Sequence, residues 1–405
     1  MAAQVDNFCY FVIIRDKMKK IIIVIVLYVL SRAVFSVFPY FYGARSLSLG
    51  YSSMAFNYDF NAIYLNPALL NSLSSSLGGI QYQSSYLDYL DLAGQLQKIS
   101  VFDLKNFQDL GAEQKNDLLE RLNDAFSATT GMNGFQIKNS GYAGKGYGVG
   151  VDFVDAAIVF PLANDVLSKP AEQISNADIA SLQMRFIGFH YKNYSFSYAF
   201  SLSQGIALGT TIHYLKGKVS EFNVSIVDEP FRPASDTKDY LQCAWSGADK
   251  GLSKLNFDLG VSADIGAYFK AGLEVKNIAS PVITTEIREL RLPRRVIAGL
   301  AFRPDSQFGI FMDIDVGKND LYYNGQKAQP ISLGVEKGFF QNKLFLRAGF
   351  LNDLNEKYFL GHNAKIIYGL GLGFNLANFL VDFALGLDQQ GHIKNLGISG
   401  FYLIK

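Results

Sequence analysis

Apolar side chains alternate with small or polar ones along much of this chain, and this alternation limits its folds more than any other feature. Between residues 364 and 375, one face is wholly apolar and consists of Ala364, Ile366, Tyr368, Leu370, Leu372 and Phe374. The opposite face consists of Lys365, Ile367, Gly369, Gly371, Gly373 and Asn375. A period of two predicts β-strands whose faces meet different surroundings. The pattern recurs at 147–153, 195–202, 206–214, 256–265, 268–277, 308–316, 331–339, 344–350, 377–387 and 394–404.

The composition favours a membrane barrel over a soluble β-sandwich. The apolar face is broad and aromatic, and 14% of the 405 residues are Phe, Tyr or Trp. The other face carries Gly, Ser, Asn and opposite charges, which suit a lumen better than bulk water. Bilayer hydrocarbon requires a closed barrel with an apolar outside. Beyond residue 35 there is no run of about 18 uncharged apolar residues, so a polytopic helical membrane protein is excluded. We therefore expect an all-β chain that forms a transmembrane antiparallel β-barrel.

The lengths of the links between strands support the same fold. Outer-membrane barrels have short periplasmic turns and long external loops. Counted back from the C-terminus, long links near 388–392, 353–363, 317–328, 278–292 and 220–250 alternate with tight links near 376, 340–342, 303–306, 266–267 and 203–205. Upstream strands are predicted near 194–203, 184–191, 145–160 and 77–85, which gives about 14 strands with both termini periplasmic. The links at 192–193 and 161–183 do not fit the sides that this count assigns to them.

The alternation also predicts which side chains face lipid near the C-terminus. They are Ile366, Tyr368, Leu370, Phe379, Val381 and Phe383.

The N-terminus predicts export. Met18 and two lysines precede an apolar run at 21–30, and small residues follow up to residue 36. This order is typical of a signal peptide, here residues 1–36 with Met18 as the favoured start, and the alternative is an uncleaved anchor. Together with the barrel, it predicts the outer membrane of a diderm bacterium.

Two segments do not read as strands. Residues 37–76 are mixed apolar and small, so they either plug the lumen as a hatch or hang in the periplasm. The barrel is then expected over 77–405, with a helical external insertion at 86–127. Within that insertion, Leu118, Leu122 and Phe126 lie on one face of a short helix.

Other classes of function find little support. The 37 basic and 36 acidic residues nearly cancel and form no dense basic cluster, so nucleic acid is not an expected partner. Cys9 and Cys243 cannot make a disulfide framework. The four histidines lack metal spacing, and the common catalytic motifs are missing, so we expect no enzyme, no metal and no cofactor. Asp313 and Asp315 share one face, which fits solvated lumen carboxylates better than a calcium site.

The order of several short motifs resembles the FadL-type outer-membrane proteins. The motifs are Gly-Ala-Arg-Ser-Leu-Ser-Leu-Gly at 43–50, Asn-Ala-Ile-Tyr-Leu-Asn-Pro-Ala at 61–68, Leu-Pro at 292–293 and Leu-Arg-Ala-Gly-Phe at 346–350. This superfamily includes long-chain fatty-acid and hydrocarbon transporters, a secretion shuttle barrel and a conjugal-transfer TraF-like branch. The resemblance covers essentially all of the chain after the signal peptide.

The resemblance implies a fourteen-stranded barrel whose hatch, around Asn66, Pro67 and Ala68, fills the lumen. In the transporter branch, a hydrophobic ligand lands among external helices, enters an apolar pocket above the hatch and leaves sideways into the bilayer. Leu69 stands where that branch usually has glycine. The alternative is that these three residues form only a turn into the barrel.

A bound acyl chain requires an apolar pocket with a few polar groups at one end. The candidate ligand-binding residues are Tyr64, Leu65, Phe311, Phe345, Leu118, Leu122 and Phe126, with Arg347 or Lys365 meeting a carboxylate. In the alternative, the aromatic residues pack the hatch and the helix seals the loop onto the barrel mouth. The two cations then pair with Glu336 or Asp382.

Two functions remain open from the sequence. The first is passive uptake of long-chain fatty acids or other hydrophobic small molecules. The second is a non-transporting barrel that acts as a partner in secretion, conjugation or surface assembly, with the external helices and the 220–250 loop as the docking surface. An open polar porin is disfavoured. Outer-membrane lipids are expected partners in both cases. A closed apolar cavity reaching a gap in the wall supports uptake, whereas a lumen packed solid by 37–76 supports the partner role.

Overall fold

Fourteen strands close into an antiparallel barrel, which confirms the predicted fold class. The computed structural model describes residues 35–36, 43–85, 99–128, 131–162, 165–225, 227, 250–320, 327–354 and 366–404. The barrel strands are β1 Ser76–Ser85, β2 Gly131–Gly144, β3 Tyr147–Leu162, β4 Gln183–Ser203, β5 Ile206–Ser225, β6 Lys250–Ile265, β7 Phe269–Lys276, β8 Arg295–Phe302, β9 Phe308–Asp315, β10 Pro330–Phe339, β11 Leu344–Asp353, β12 Ile366–Leu376, β13 Phe379–Leu387 and β14 Ile393–Ile404. Each strand pairs with the next, and β14 pairs with β1.

The outward face of the barrel is the apolar face that the sequence predicts. Tyr368 and Leu370 of β12 and Phe383 of β13 are exposed, whereas Ile367 and Asp382 on the opposite faces are buried. Because side chains alternate along a strand, this split fixes which face of each strand meets lipid.

Two of the predicted strands are wrong, and the errors cancel in the count. The predicted strands at 184–191 and 194–203 are one continuous strand, β4, with no turn at 192–193. The strand missing from the prediction is β2, Gly131–Gly144. With these corrections, tight and long links alternate around the whole barrel. The false break was predicted because the pattern of β4 inverts at that point: its outward face changes from Phe196 and Tyr194 to Lys192.

The barrel starts and ends on the tight-turn side, as the strand count predicts, because Ser76 at the start of β1 pairs with Ile404 at the end of β14. Phe35–Ser36 pairs with Asn319–Asp320, in a link on the long-loop side of the barrel. The chain then runs through the lumen toward the tight turns, where the carbonyl of Leu70 accepts a hydrogen bond from Gly146 N. Phe35–Ser36 thus lies at the mouth of the barrel, whereas Leu70, shortly before β1, lies at the tight turns. Residues 1–34, which include most of the predicted signal peptide, lie outside the described residues.

The barrel wall is much taller on one side than on the other. β4 and β5 have 21 and 20 residues, whereas β7, β8 and β9 have 8 each. At about 3.3 Å per residue, the difference is roughly 40 Å of strand length. We call the upper parts of β2 to β6, on the long-loop side, the tall wall.

A helical cap, residues 99–128 and 165–182, covers the top of the outer face of the tall wall, around Met184 and Phe186. It contains α3 Val101–Lys105, α4 Ala112–Ala128, α5 Asn176–Ser181 and the 3₁₀ turns Phe107–Asp109, Asp165–Ser168 and Ala171–Gln173. Its apolar residues form one cluster with Met184 and Phe186 of β4. These two have the same strand parity as the outward Tyr194. The cap therefore packs outside the barrel.

One short helix of the cap is fixed by its N-terminus. Ser175 and Asp178 form a capping box at the start of α5. The hydrogen bond from Lys169 Nζ, 2.7 Å long, and those from Ser175 hold the pKa of Asp178 well below its usual range.

A plug, residues 43–75, fills the lower lumen. It contains α1 Gly43–Ser48, α2 Ala62–Leu65 and the 3₁₀ helix Pro67–Ser72, which leads into β1. Nearly all of its residues are buried.

The plug packs its backbone directly against glycines on the inner face of the wall. A β-carbon on Gly209 would overlap the backbone of Pro67 and Ala68, and one on Gly349 would overlap that of Leu49. β-Carbons on Gly272, Gly299, Gly334 and Gly369 would also meet plug backbone, and those on Gly148, Gly150, Gly260 and Gly371 would meet plug side chains. The glycine-rich face of the strands is therefore the seat of the plug.

We expect Gly209→Ala to destabilise the protein by about 1–3 kcal/mol, because the added methyl overpacks the contact with the plug. Gly251→Ala on the neighbouring strand is the control, since a β-carbon there meets no atom within 4 Å. Urea unfolding in detergent measures both. Equal stabilities for the two variants would contradict the tight seat.

Candidate functional site

A cluster of charges in the lumen joins the plug to the wall. We call Arg45, Tyr58, Glu336, Arg347 and Asp382 the lumen charge cluster. The Nε atoms of Arg45 and Arg347 both donate to Glu336 Oε2, at 3.1 and 2.7 Å. Arg347 Nη1 donates to Asp382 Oδ1 at 2.6 Å, and Nη2 donates to Tyr58 Oη at 2.7 Å. Two buried cations therefore balance two buried carboxylates, and Arg347 is paired as the alternative reading expected.

Aromatic rings of plug and wall surround this cluster. The Arg45 guanidinium lies 4.4 Å from the ring centroid of Tyr58 and 5.3 Å from that of Phe311. Phe311 stacks on Phe56 of the plug at 6.0 Å, and Phe345 lies 6.4 Å from Tyr58. The structure thus places Phe311 and Phe345 against the plug. Lys365 and the side chain of Phe126 lie outside the described residues.

Asn66 makes hydrogen bonds both within the plug and to the barrel wall. Its side-chain nitrogen donates to the carbonyls of Met54 and Val261, at 3.1 and 3.0 Å, and its oxygen accepts from Ala68 N at 3.1 Å. Pro67 then opens the 3₁₀ helix. The amide therefore both forms the local turn and fastens that turn to β6.

Tyr64 and Leu65, the expected pocket floor, are buried. The carbonyl of Tyr64 accepts a hydrogen bond from Lys276 Nζ. Leu65 lines an enclosed space of about 20 Å³, which is too small for a ligand.

Asp313 and Asp315 are not solvated, contrary to the sequence interpretation. Asp313 accepts hydrogen bonds from the backbone nitrogens of Ser53 and Met54, at 2.6 and 2.8 Å. Asp315 pairs with Arg295 through bonds of 2.8 to 3.2 Å. The reason is the plug, which fills the space that the sequence interpretation left to water.

A second polar row crosses β4, β5 and β6. Ser195 Oγ lies 2.9 Å from His213 Nδ1, and His213 Nε2 lies 3.0 Å from Asp258 Oδ2. This order of groups is that of a nucleophile, a base and an acid. However, the adjoining cavity of about 80 Å³ is lined by His213 and Asp258, and Ser195 is not among its lining residues. The row is therefore a structural network, and the sequence hides it because strand register alone brings these residues together.

The upper lumen, above the plug, has an apolar inner wall. Below the inversion in β4 the inward residues are Asn193, Ser195 and Ser197, and above it they are Ile187, Phe189 and Tyr191. One cluster joins the tall wall to the top of the plug and to the mouth; it includes Leu47, Tyr51, Val154, Ile158, Ile187, Phe189, Leu215, Val219, Leu252, Ile283 and Leu290. Sequence reasoning missed these residues, although the inversion itself is readable.

A short hairpin folds into the mouth and closes the upper lumen. This mouth hairpin, residues 282–291, pairs Val282–Thr284 with Glu289–Arg291. Glu221, buried on the inner face of β5, accepts from Thr285 Oγ1 at 2.6 Å and lies 2.9 Å from Arg288 Nε. The Glu221 carboxylate thus holds the tip of the mouth hairpin, which keeps the apolar side chains of the hairpin in the lumen.

The pairing of β6 with β7 stops partway up, which leaves a seam in the wall. The last pair is Leu259 with Val275. Above it, Asn277, with a φ of +55°, donates from N to Asp258 Oδ1 at 2.8 Å and accepts from Asn256 Nδ2 at 2.5 Å. Outward Phe257 is exposed at this height. The seam therefore faces lipid and is closed by these side-chain hydrogen bonds and by one backbone hydrogen bond, from Ile278 N to the carbonyl of Phe257 at 2.8 Å.

Leu118 and Leu122 do not reach the lumen. Both belong to the apolar cluster of the helical cap, outside the tall wall. Most of the predicted docking loop at 220–250 lies outside the described residues.

Two searches of the described residues gave no positive result. They contain no helix with the length and apolarity needed to cross a membrane. The same part of the chain holds no group of three or more His, Cys, Asp and Glu suited to a metal ion.

The chain matches one family model, described as "F plasmid transfer operon, TraF, protein", over residues 63–315. No curated protein matches. Among solved structures, the Pseudomonas putida toluene transporter TodX is 11% identical with a TM-score of 0.49, covering 92% of this chain and 98% of that one. The CymD monoaromatic hydrocarbon channel is 12% identical with a TM-score of 0.47, covering 89% and 96%. The Ralstonia pickettii toluene transporter TbuX is 9% identical with a TM-score of 0.46, covering 89% and 97%.

Arg347→Gln should lower the free energy of unfolding by about 3–5 kcal/mol, because it leaves Glu336 and Asp382 buried with too little positive charge. Arg121→Gln is the control: it breaks an exposed pair with Asp117, for which we expect less than about 1 kcal/mol. Urea titration in lipid vesicles measures both. Similar losses for the two variants would show that the lumen charge cluster does not hold the plug.

Proposed function

The chain belongs to the family described as the F plasmid transfer operon TraF protein, and from this premise we propose that it is an outer-membrane barrel for passive uptake of hydrophobic molecules, long-chain fatty acids among them. The match confirms the TraF-like branch of the resemblance. The observation that carries the proposal is the apolar inner face of the upper lumen, above a plug that blocks the barrel axis. A water-filled pore would have a polar interior instead.

The contacts of the plug favour a ligand route that does not follow the barrel axis. Arg45 and the inner glycines fix it to the wall at many points, so moving it aside would expose the buried charges of Glu336 and Asp382. A ligand that enters at the mouth therefore stays above the plug. The exit that breaks the fewest contacts is sideways through the wall, since the seam beside Asn277 is closed by only a few hydrogen bonds.

The polar cavity behind the seam suits the headgroup of a fatty acid. Lys276 and Arg295 both line it, and cations of this kind form strong hydrogen bonds with carboxylates. Lys276 is paired with Asp258 and Glu274, and Arg295 with Asp315, so a ligand carboxylate would have to share these cations with the wall. Leu215 and Leu292 continue the lining into apolar surface. An amphiphile could thus place its carboxylate here and its chain in the upper lumen, once the mouth hairpin has moved.

The test is uptake of radiolabelled oleate by proteoliposomes. Glu221→Gln loosens the mouth hairpin, because the neutral amide no longer attracts Arg288, and we expect uptake to rise several-fold. Glu286→Gln in the same hairpin is the control, since Glu286 is exposed and its ion pair among the described residues is a loose one with Lys250 at 3.5 Å. Equal rates for both variants would remove the hairpin from the mechanism. Wild-type protein that neither binds nor passes oleate or toluene would refute the uptake function.

The second candidate is a non-transporting barrel that is a partner in secretion, conjugation or surface assembly. The close packing of the plug favours it, because the described lumen cavities, of about 20 and 80 Å³, are too small for an acyl chain without movement. Its docking surface would be the helical cap on the tall wall. If oleate is not taken up, removing residues 99–128 should lower conjugal transfer or secretion while the barrel stays folded, as judged by its heat-dependent mobility on gels.

A further inference from the structure

Four lysines stand together on the outside of the tall wall. Lys138, Lys192, Lys216 and Lys218, which we call the lysine patch, are all exposed and come from the neighbouring strands β2, β4 and β5. Strand register places them in two adjacent rows. Lys138, Phe153, Lys192 and Lys216 follow one another across the sheet, and Lys218 lies opposite His190 in the row above.

The patch lies directly above the surface that faces lipid. The next outward row below it contains Val151, Tyr194, Tyr214 and Leu255, of which both tyrosines and Leu255 are exposed. Aromatic residues are typical of the level where hydrocarbon meets headgroups. Because the long loops are on the same side, the patch lies at the headgroup level of the outer leaflet.

Among the residues that the structure describes, no acidic side chain pairs with a lysine of the patch. Lys192 and Lys216 are directly opposite on paired strands, an arrangement that destabilises a sheet when nothing separates the charges. The acidic residue in these rows, Asp155, is already bound to His190. Among the described residues, none of the four lysines forms an ion pair, although the Lys192 ammonium lies 5.1 Å from the ring centroid of Phe153.

The spacing fits a headgroup with more than one anion. Lys138 and Lys216 are three strand spacings apart, roughly 14 Å at about 4.8 Å per strand. Lys218 lies one row above Lys216, and Phe153 offers a flat apolar surface between the cations. A single small anion would meet only part of this surface, whereas a phosphorylated sugar headgroup on acyl chains would meet all of it.

From this placement we infer that the lysine patch is a binding site for a phosphorylated glycolipid of the outer leaflet. Its phosphates would bind the four ammonium groups, and its acyl chains would lie on Tyr194, Tyr214 and Leu255 below. The bound lipid would seal the base of the tall wall, where the sheet leaves the membrane. This site is on the outer surface and is independent of the uptake route.

Native mass spectrometry with bisphosphorylated lipid A tests the inference. We expect the wild type to retain the lipid and the double variant Lys192→Gln/Lys216→Gln to bind at least tenfold more weakly. Lys192→Arg/Lys216→Arg should retain binding because it keeps the charge. The matched control is Lys337→Gln/Lys343→Gln, which removes two lysines near the tight turns at the other end of the barrel. It should bind as the wild type does.

Two further arms decide what the patch recognises. Monophosphorylated lipid A should bind more weakly than the bisphosphorylated form, and inorganic phosphate at the same concentration should not displace the lipid. Displacement by inorganic phosphate would overturn the inference in favour of a free-anion site. Unchanged lipid binding by Lys192→Gln/Lys216→Gln, with its heat-dependent gel mobility intact, would overturn it as well. Because both lysines are exposed, this variant should fold.

Discussion

The close approach of the plug backbone to the inner wall is the contact on which the rest of the structure depends. It is possible only where the wall lacks side chains, and glycines on most of the barrel strands provide that space. Once the backbone lies there, Arg45 reaches Glu336, and Asp313 can accept the backbone nitrogens of Ser53 and Met54. The buried charges thus follow from the glycine seat, because only a plug this close can satisfy them.

Much of the barrel could be predicted from the sequence, because lipid and lumen impose opposite demands on alternate residues. The pattern failed where those demands change. In β4, the outward face turns polar at Lys192 and the inward face turns apolar at Tyr191, since the strand leaves the bilayer there. If one face is assumed to meet lipid along the whole strand, the inversion looks like a break in the strand. If the surroundings change partway along the strand, the inversion indicates the level of the membrane surface. β2 was missed because its outward face carries the polar residues Gln136, Lys138 and Ser140 and so lacks the apolar alternation of the other strands.

The candidate site was less predictable than the barrel. Pairing of Arg347 with Glu336 and Asp382 was weighed as one alternative, because cross-strand neighbours can be read from the alternation. The partner from the plug, Arg45, could not be found in this way, since it lies 291 residues from Glu336 in the chain. The mouth hairpin was missed for a related reason. Glu221 and Arg288 meet only because one link folds back into the lumen.

Different kinds of contact hold the plug in the lower half of the lumen and the mouth hairpin in the upper half. In the lower half, each inner glycine and each buried charge resists displacement, so motion there would break many contacts together. In the upper half, the contacts are apolar and one carboxylate, Glu221, holds the hairpin tip. Apolar contacts are not directional, so a hydrophobic ligand can replace those of the hairpin, and the polar contacts that are lost are those of Glu221 with Thr285 and Arg288. Any movement that admits a ligand is therefore expected in the mouth and along the seam, where the side-chain bonds at Asn277 and a single backbone bond from Ile278 to Phe257 take the place of regular strand pairing.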